Sequence, residues 1–498
     1  MARSIAVDPS AVARVVGIET IFKDLRNGAL ALLPQRLAII GQGSTGAVYS
    51  TDKRQVTSAT QAGALYGYGS PIHLAVKQLL PTNGDGVGTI PVTVYPLVDA
   101  ASGVAATGEI TPTGTQLEAA SYRAVISGVR SEQFVVSTGA TIATITDALA
   151  RAINSVLDMP VTAVATATKV TLTSKWKGVS ANDIYVQIEG SSTAGVAFGV
   201  TQPTGGLVNP NVDPALAQFG SVWETMVLNC LNPSDTDALT KISAFGEGRW
   251  GSLTRKPFVA FVGATDENIQ DATAVPNSRK TDRINSQLVS PGSIDLPLTT
   301  AARQVARIIV VANENPACDY GSQQATGLNP GADGDQWDYL TRDIAVKAGC
   351  STVETRDNIV TIQDVVTFYH PTGDVLPAYR YVCDIVKIQN IIFNIDLIFA
   401  NAEWDGSPLI PDYQATTNPK AKKPKMAVAA LGTVTDSLGL EAIISDPAFT
   451  KKNTIAEIDT QNPKRLNIQV TVKLSGNTNI LAVDLNFGFF FGTAQIVG

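Results

Sequence analysis

The sequence contains one glycine pattern that binds phosphate in many enzymes. The turn Gly41–Gly46 has the form G-x-G-x-x-G and directly follows Arg36–Ile40, a short apolar run typical of a buried strand. In a dinucleotide-binding fold such glycines let backbone amides approach a pyrophosphate at the start of a helix. The residues after this turn instead predict extended chain, and position 61 is Gln61 where an acid would hold the ribose. The pattern favours a structural turn over a nucleotide site.

The chain has only two histidines, His73 and His370, which limits the catalytic sites that it can build. A three-histidine metal site is excluded, and no cysteines or acids stand at the spacing of a mixed site. A Ser-His-Asp triad would need one of these two residues, and no G-x-S-x-G elbow supplies a nucleophile. We predict no catalytic, cofactor-binding or metal-binding residues, no cofactor, and a protein that is not an enzyme.

Two charged patterns have a plainer interpretation than a ligand site. The acidic pairs Asp333/Asp335 and Asp235/Asp237 do not continue into a full calcium loop, and either Asp235 or Ser234 is predicted to cap a helix. The basic run contains Lys420, Lys422, Lys423 and Lys425. It is either a solvated loop or a surface that docks on an acidic protein. Such a patch would guide the approach of that protein but would not by itself bind it tightly.

Composition favours a subunit of an assembly. Of 498 residues 44% are hydrophobic and only 16% are charged, against about 25% charged in typical soluble domains. So few charges cover a large chain poorly, and burial between subunits would resolve this. The net charge of −7 argues against nucleic acid as a partner.

The cysteines and the hydrophobic segments indicate a reducing compartment. The four cysteines are widely spaced, which predicts free and mostly buried thiols. The N-terminal residues lack a signal-peptide pattern, and the apolar stretch Ile391–Phe399 is too short to span a bilayer. We therefore expect synthesis in a cytoplasm and no membrane insertion.

Changes in composition and in hydrophobic periodicity along the chain predict an α/β fold plus a β-rich part. Buried-strand runs and helical spacing alternate over 25–85 and 208–375, whereas short alternating Thr- and Val-rich runs with one helix fill 86–207. The predicted organisation is an N-terminal arm (1–24), a first α/β part (25–85), an inserted β-sandwich or barrel (86–207), a second α/β part (208–375), a smaller α+β C-terminal domain (376–478) and a C-terminal arm strand (479–498).

The last residues predict a hairpin whose second strand needs a cover. Residues 465–474 and 480–487 both alternate apolar and polar side chains around the turn SGNTN, and the end NFGFFFG is strongly apolar. A terminal strand this apolar must be covered by something.

Several segments in order resemble the contractile tail sheath proteins of phages, most nearly the Mu-like sheath. They are residues 38–71 with the glycine turn, 256–264, 337–369 with its Val366-Thr367 element, and the closing 467–474 and 480–487. Each is weak alone, and their order over some 490 residues carries the resemblance.

The resemblance implies a subtilisin-like α/β fold without its triad, and a structural function. Sheath subunits form stacked sixfold rings around a tail tube, and contraction drives the tube through the host envelope. The implied partners are further copies of the chain, the tail tube protein, and the baseplate and tail terminator proteins. The implied location is the virion tail, assembled in the host bacterial cytoplasm.

The resemblance also assigns a role to the chain ends. In the family, terminal strands add to the sheets of neighbouring subunits. The predicted intersubunit arm residues are Ile5, Val7, Val12, Val15, Ile18, Leu481, Val483, Leu485, Phe487, Phe489 and Phe491. The basic run of four lysines is the candidate surface facing the tube. Two alternatives stay open: a nucleotide-dependent enzyme that uses the turn Gly41–Gly46, and an adhesin whose β insertion binds glycans.

Overall fold

A computed structural model describes residues 31–191, 193–372, 379–400 and 403–479, with the single positions 483 and 485. The described residues form two compact units. One contains residues 32–393 and the described residues from 474 onward, and the other contains residue 31 and residues 394–473. No helix in the described part of the chain is both long enough and apolar enough to cross a bilayer.

Eighteen strands and eleven helices are formed by the described residues. The strands are β1 (Leu37–Gln42), β2 (Arg54–Val56), β3 (Val92–Leu97), β4 (Ala105–Gly114), β5 (Ala120–Ile126), β6 (Val129–Arg130), β7 (Phe134–Val136), β8 (Val161–Ala165), β9 (Val170–Lys177), β10 (Val186–Gly190), β11 (Val196–Thr204), β12 (Met226–Asn229), β13 (Val259–Ala264), β14 (Asn285–Val289), β15 (Cys350–Arg356), β16 (Ile359–Asp364), β17 (Ile455–Ile458) and β18 (Leu466–Gln469). The helices are α1 (Ala59–Tyr66), α2 (Pro71–Leu79), α3 (Ile142–Asn154), α4 (Asp213–Ala217), α5 (Thr236–Trp250), α6 (Ile269–Ser278), α7 (Pro297–Glu314), α8 (Tyr339–Lys347), α9 (Val382–Phe399), α10 (Pro424–Leu440) and α11 (Pro447–Lys452).

An eight-stranded sheet organises the larger unit, in the order β16-β15-β14-β13-β12-β1-β3-β2. The strands from β15 to β3 pair in parallel, and β2 and β16 close the two edges antiparallel. Every residue of β1, β3, β12, β13 and β14 is buried. Burial on both faces requires the continuous apolar runs that the sequence shows at these strands. The mixed α/β class is confirmed.

Two layers of side chains cover this sheet. On one face α2 and α7 share a large apolar cluster with β1 and β13, which includes Leu79, Val305 and Ile309. On the other face a second cluster forms around Tyr95, Phe219 and Ile242, with the ring of Tyr95 stacked on Phe219 at 4.4 Å between centroids. The sheet is therefore a buried middle layer.

The outer edge of β16 is occupied by a neighbouring segment. The backbone amides of Ser322 and Ala325 donate to carbonyls of Ile362 and Val360, and the amide of Ile362 donates to Gln323. The run DNIVTIQDVVTFYH (357–370), taken as sequence alone, predicts two strands paired with each other. Instead it contributes only β16, which pairs with β15, because the turn between these strands lies at Asp357 and Asn358, both with positive φ.

The β-rich part forms two antiparallel four-stranded sheets between β3 and β12. One has the order β11-β4-β9-β8, the other joins β10, β5, β6 and β7, and α3 packs on both. The boundary predicted at residue 86 placed β3 in this part, but β3 pairs with β1 along its full length. Its six buried residues belong to the parallel sheet, so the change of sheet occurs between residues 97 and 105.

A buried carboxylate of the α/β part lies against a turn of the β-rich part. Asp295 precedes α7, its two oxygens accept from the backbone amide of Asn329 (2.7 Å) and from Asn329 Nδ2 (2.8 Å), and Gly128 in the turn after β5 lies against both residues. Burial raises the pKa of Asp295 to about 6, against the hydrogen bonds from Asn329 that lower it.

This raised pKa predicts a pH dependence of stability. Because the folded pKa lies above the ordinary value of 3.8, the neutral carboxyl stabilises the fold below pH 4, and this contribution is lost as the pH rises through 6. We expect Asp295→Asn to remove about 2 kcal/mol of the loss in unfolding free energy between pH 4 and pH 7. Urea denaturation across this range measures it, with Asp333→Asn, at an exposed carboxylate, as the matched control. An unchanged pH dependence in Asp295→Asn would contradict the assignment.

The smaller unit differs from its prediction in two respects. The apolar spacing over 434–443 predicts a helix there, but α10 begins ten residues earlier, at Pro424 within the lysine run, because proline suits the first helical turn. A hairpin was predicted between 465–474 and 480–487, but β18 ends at Gln469 and pairs with β17. The second predicted strand lies almost entirely outside the described residues.

Candidate subunit-contact surfaces

In the turn Gly41–Gly46, other residues of the protein already bond to the backbone amides and occupy the space beside Gly43. The amides of Ser44 and Thr45 donate to the carbonyls of Tyr66 (2.7 Å) and Lys175 (2.6 Å), and the amide of Gly43 donates to the Tyr49 hydroxyl (3.2 Å). A Cβ on Gly43 would overlap the Tyr49 ring and lie 2.9 Å from the carbonyl oxygen of Tyr66. The glycines therefore serve close packing, and the amides that would bind a phosphate are already used.

The two histidines have structural partners. The amide of Gly69 donates to Nδ1 of buried His73 (3.1 Å), while Nε2 lies 3.7 Å from a carboxylate oxygen of Asp158. Burial lowers the pKa of His73, against the raising influence of Asp158. His370 contacts the carbonyl of Phe368 through Nδ1 (2.7 Å) and the side chain of Asn277 through Nε2 (3.2 Å). Burial lowers the pKa of His370 as well.

The acids and thiols also serve the fold. Of the two predicted cap residues, Asp235 caps α5: its Oδ1 accepts from the amide of Ala238 (3.0 Å), while Oδ2 accepts from Asn209 (2.8 Å). Cys230 and Cys350 are buried free thiols whose pKa is raised to about 12 by burial, and Cys318 is an exposed free thiol. Among the described residues no three histidines, cysteines or acids cluster as metal ligands.

The four lysines of the basic run do not form one surface. Lys420 and Lys425 are exposed, and Lys423 is half-buried and donates to the carbonyl of Gln414 (2.6 Å). Lys422 is buried: its ammonium lies 3.4 Å from Glu403 Oε2 and 5.1 Å from the centroid of the Trp404 ring. The expectation that all four lysines face a partner is wrong for Lys422, because an ion pair and an aromatic ring hold its side chain in the fold.

A two-stranded ribbon in the smaller unit leaves apolar side chains uncovered. It consists of β17 and β18, and within the described part of the chain no third strand pairs with either edge. Ile455 is 60% exposed, and Ile458, Leu466 and Ile468 are only half-buried. Two strands alone are marginally stable in water, so the ribbon has the properties of an acceptor for further strands.

Most of the predicted arm residues lie outside the described residues. These are Ile5, Val7, Val12, Val15, Ile18, Leu481, Phe487, Phe489 and Phe491. Val483 and Leu485 are described, and each is 74% exposed. Two apolar side chains two positions apart and exposed to this degree fit a segment that packs elsewhere.

The structure adds an apolar patch that the sequence analysis missed. On α8 the side chains of Tyr339, Leu340 and Ile344 are 65%, 69% and 56% exposed, while Ala345 packs inward. The residues 340 and 344 are one turn apart on the same face. Assigning the residues of α8 to a buried and an exposed face would have revealed the patch. The small residue Ala345 faces the core, whereas the large apolar residues face outward.

A curated relative aligns with most of the chain. The Mu-like prophage FluMu tail sheath protein of Haemophilus influenzae is 25% identical over 460 residues, which cover 89% of this chain and 91% of that protein. No family model matches the chain.

Solved structures of sheath proteins align over most of the chain at low identity. The sheath tail protein of Desulfitobacterium hafniense is 13% identical, covers 93% of this chain and 97% of its own, and has a TM-score of 0.47. That of Listeria innocua is 12% identical, covers 90% and 93%, and has a TM-score of 0.49. A sheath of the PVC extracellular contractile injection system, in the contracted state, is 9% identical, covers 96% and 99%, and has a TM-score of 0.48.

The order of segments along the sequence indicated the same relationship, and the Haemophilus influenzae protein extends it over nine-tenths of both chains. The resemblance of this chain to the Mu-like contractile tail sheath proteins is therefore confirmed.

Proposed function

We propose that this chain is a structural subunit of a contractile tail sheath. The observation that carries the proposal is its similarity, over 89% of its length, to a Mu-like tail sheath protein. In this proposal the subunits stack as sixfold rings around a tail tube, and their contraction drives the tube through the host envelope. The partners are other copies of the chain, the tube protein, and the baseplate and terminator proteins. The site of action is the virion tail, after assembly in the bacterial cytoplasm.

Strand exchange through the terminal arms is the proposed link between subunits. The ribbon of β17 and β18 supports it, because it offers two edges and half-exposed apolar side chains to incoming strands. Val483 and Leu485 support it from the donor side, because they are exposed in the single chain. Each added backbone hydrogen bond is worth about 0.5–1.5 kcal/mol, so a five-bond arm holds on the order of several kcal/mol.

At the level of the fold, we propose that the α/β part is a subtilisin-like domain without a triad. The mostly parallel sheet with helices on both faces supports this. The β-rich part is proposed as an insertion into that domain, since β3 and β12 on either side of it both flank β1. The chain ends before residue 25 and after residue 478 are proposed as the arms.

Neither alternative function is favoured. A nucleotide site at Gly41–Gly46 would need backbone amides that already bond to Tyr66 and Lys175. An adhesin would use the β-rich part, where the buried rings of Tyr122 and Phe134 pack with the half-buried ring of Phe198. Such rings fill a core instead of forming a sugar-binding surface.

Electron microscopy of the purified full-length chain tests the proposal directly. Concentrated protein is expected to form tubes or rings in negative stain. A monodisperse monomer at high concentration, by light scattering, would contradict the sheath function. Calorimetric titration with adenine and nicotinamide nucleotides on the same sample tests the enzyme alternative, for which we expect no heat of binding.

The exposed lysines are proposed to steer the sheath onto an acidic tube surface. We expect Lys420→Glu with Lys425→Glu to weaken co-sedimentation with the tube by about tenfold at low salt, because charged contacts at a rim set the salt-dependent part of association. The matched control is Lys464→Glu, an exposed lysine in the turn between β17 and β18. Equal binding by the double variant and the control would rule out the lysine contact and leave the sheath proposal standing.

A further inference from the structure

A buried lysine on α9 holds the segment that leads to the C-terminus. Lys387 is fully buried, and its ammonium donates to Asp384 Oδ1 (2.9 Å), the carbonyl of Ser475 (2.7 Å) and Asn477 Oδ1 (2.6 Å). An ammonium has three protons, so these three acceptors satisfy it completely. A buried charge that loses such partners is strongly disfavoured. The segment around Ser475 is therefore fixed to the helix.

Asn477 makes a second attachment on the other side of this segment. Its Nδ2 donates to the carbonyl of Ala317, just beyond α7, at 2.8 Å. The same side chain thus bonds to α9 through its oxygen and to the chain after α7 through its nitrogen. The segment from 475 to 477 is held on two sides although it belongs to no strand or helix.

One turn further along, α9 holds the segment that arrives from the N-terminus. Asn390 Oδ1 accepts from the buried backbone amide of Leu33 (2.8 Å), and Asn390 Nδ2 donates to Val386 within the helix (2.9 Å). The amide of Gln35 donates to Asn313 Oδ1 (3.2 Å), which adds an attachment to α7. Positions 387 and 390 lie on neighbouring parts of the same helical face, about 4.5 Å apart along the axis.

Gln389, between these two residues, fixes the helix to the main sheet. Its Nε2 donates to the carbonyls of Thr225 (3.2 Å) and Pro257 (3.1 Å), which lie just before β12 and β13. Lys387, Gln389 and Asn390 are all fully buried. Polar groups buried at this cost require specific partners. The Lys387 ammonium and both polar atoms of the Asn390 side chain have such partners. Gln389 Nε2 has two acceptors, whereas its Oε1 has no partner among the described residues.

We infer that α9 is a mechanical junction: Lys387 and Asn390 fix the C-terminal and N-terminal segments to one helical turn, and Gln389 fixes that turn to the sheet. Tension applied to either terminal segment is then passed to the other segment, and to the sheet, without deforming the rest of the fold. The source of the tension, neighbouring subunits that pull on the arms, rests on the proposed function. The attachment itself is a property of the single chain.

Hydrogen exchange on the unassembled full-length chain tests the attachment. Lys387→Met keeps an apolar stem and removes the three donated bonds, so amides of residues 474–479 are expected to exchange at least about tenfold faster. Asn390→Leu is expected to accelerate exchange at Leu33 instead. The matched control is Lys347→Met, at an exposed lysine on α8 that pairs with Asp343. Exchange at 474–479 that is the same in Lys387→Met and in the control overturns the inference.

A second variant guards against general misfolding. Asn477→Ala removes an acceptor from the segment and leaves α9 intact, and it is expected to accelerate exchange at the same residues. Slow exchange in β12 and β13 identifies samples whose fold is retained. Microscopy of wild-type protein reports separately on the proposed function: absence of tubes overturns the sheath proposal, whereas unchanged exchange at 474–479 overturns the junction whether or not tubes form.

Discussion

A chain that ends at Ile480 is expected to stay folded and to lose the ability to form tubes. The deleted residues Leu481–Gly498 contain the alternating apolar positions that we propose to pair with a neighbour's ribbon. Loss of one arm removes on the order of several kcal/mol of backbone hydrogen bonding from every subunit contact. Negative-stain microscopy and light scattering measure assembly, and urea denaturation measures whether the stability of the monomer is retained.

A pair of matched triple variants separates the apolar face of this arm from its length. Leu481→Ser, Val483→Ser and Leu485→Ser together remove the proposed contact face and are expected to abolish tubes. Ala482→Ser, Asp484→Ser and Asn486→Ser change the same number of side chains on the alternate face, and tubes are expected to persist. Tubes from the truncated chain, or equal behaviour of the two triple variants, would refute the arm mechanism.

Gly263→Ala is expected to lower the free energy of unfolding by about 3 kcal/mol or more, because overpacking of a rigid backbone contact is strongly destabilising. Gly263 lies in β13, where α7 begins against the sheet. A Cβ at this position would overlap the carbonyl oxygen of Pro297 and lie 3.1 Å from the Cβ of Ala301. Both neighbours belong to the first turns of α7, which cannot shift without moving the helix off the sheet.

The control for this substitution is Gly248→Ala in α5. Apart from the adjacent backbone of α5 itself, no atom of the described residues lies within 4 Å of the Cβ that it adds. Alanine is also favoured over glycine within a helix by roughly 0.5–1 kcal/mol. We expect Gly248→Ala to be neutral or slightly stabilising in urea denaturation of the unassembled chain. A Gly263→Ala variant as stable as Gly248→Ala would show that α7 does not pack on β13 in this way.

The sequence predicted the buried layer of the fold well, since that layer depends on local pattern. The continuous apolar runs at β12 and β13, and the proline at the start of α2, can be identified from the sequence alone. The boundary of the β-rich part was not visible, because β3 has the same Thr- and Val-rich texture as the strands that follow it. Only its pairing with β1, set by tertiary contacts, places it in the main sheet.

Long-range partners explain what the sequence could not predict about the candidate surfaces. By its sequence neighbours Lys422 belongs to a basic loop. Its side chain points inward instead, because Glu403 and Trp404, about twenty residues earlier in the sequence, contact its ammonium. The sequence pattern of α9 alone indicates that Lys387 is one charge on an amphipathic helix. Two of its three acceptors lie 88 and 90 residues away along the chain. The catalytic motifs, in contrast, could be examined in the sequence alone, because the two histidines and the turn Gly41–Gly46 are few enough to consider one at a time.

The ribbon of β17 and β18 has a consequence for how growth of a polymer would stop. Both edges of this ribbon are unpaired within the described part of the chain, and a chain has two ends. If each chain end pairs with one edge of a neighbouring ribbon, a subunit offers as many strands as it has edges to receive them. Inside the polymer every such strand is then paired, and unpaired strands and edges remain only at the two ends of the polymer. Such a subunit specifies the stoichiometry of its lattice but carries no measure of its length. Length must then be set by a different molecule, acting as a template or as a cap on the unmatched layer.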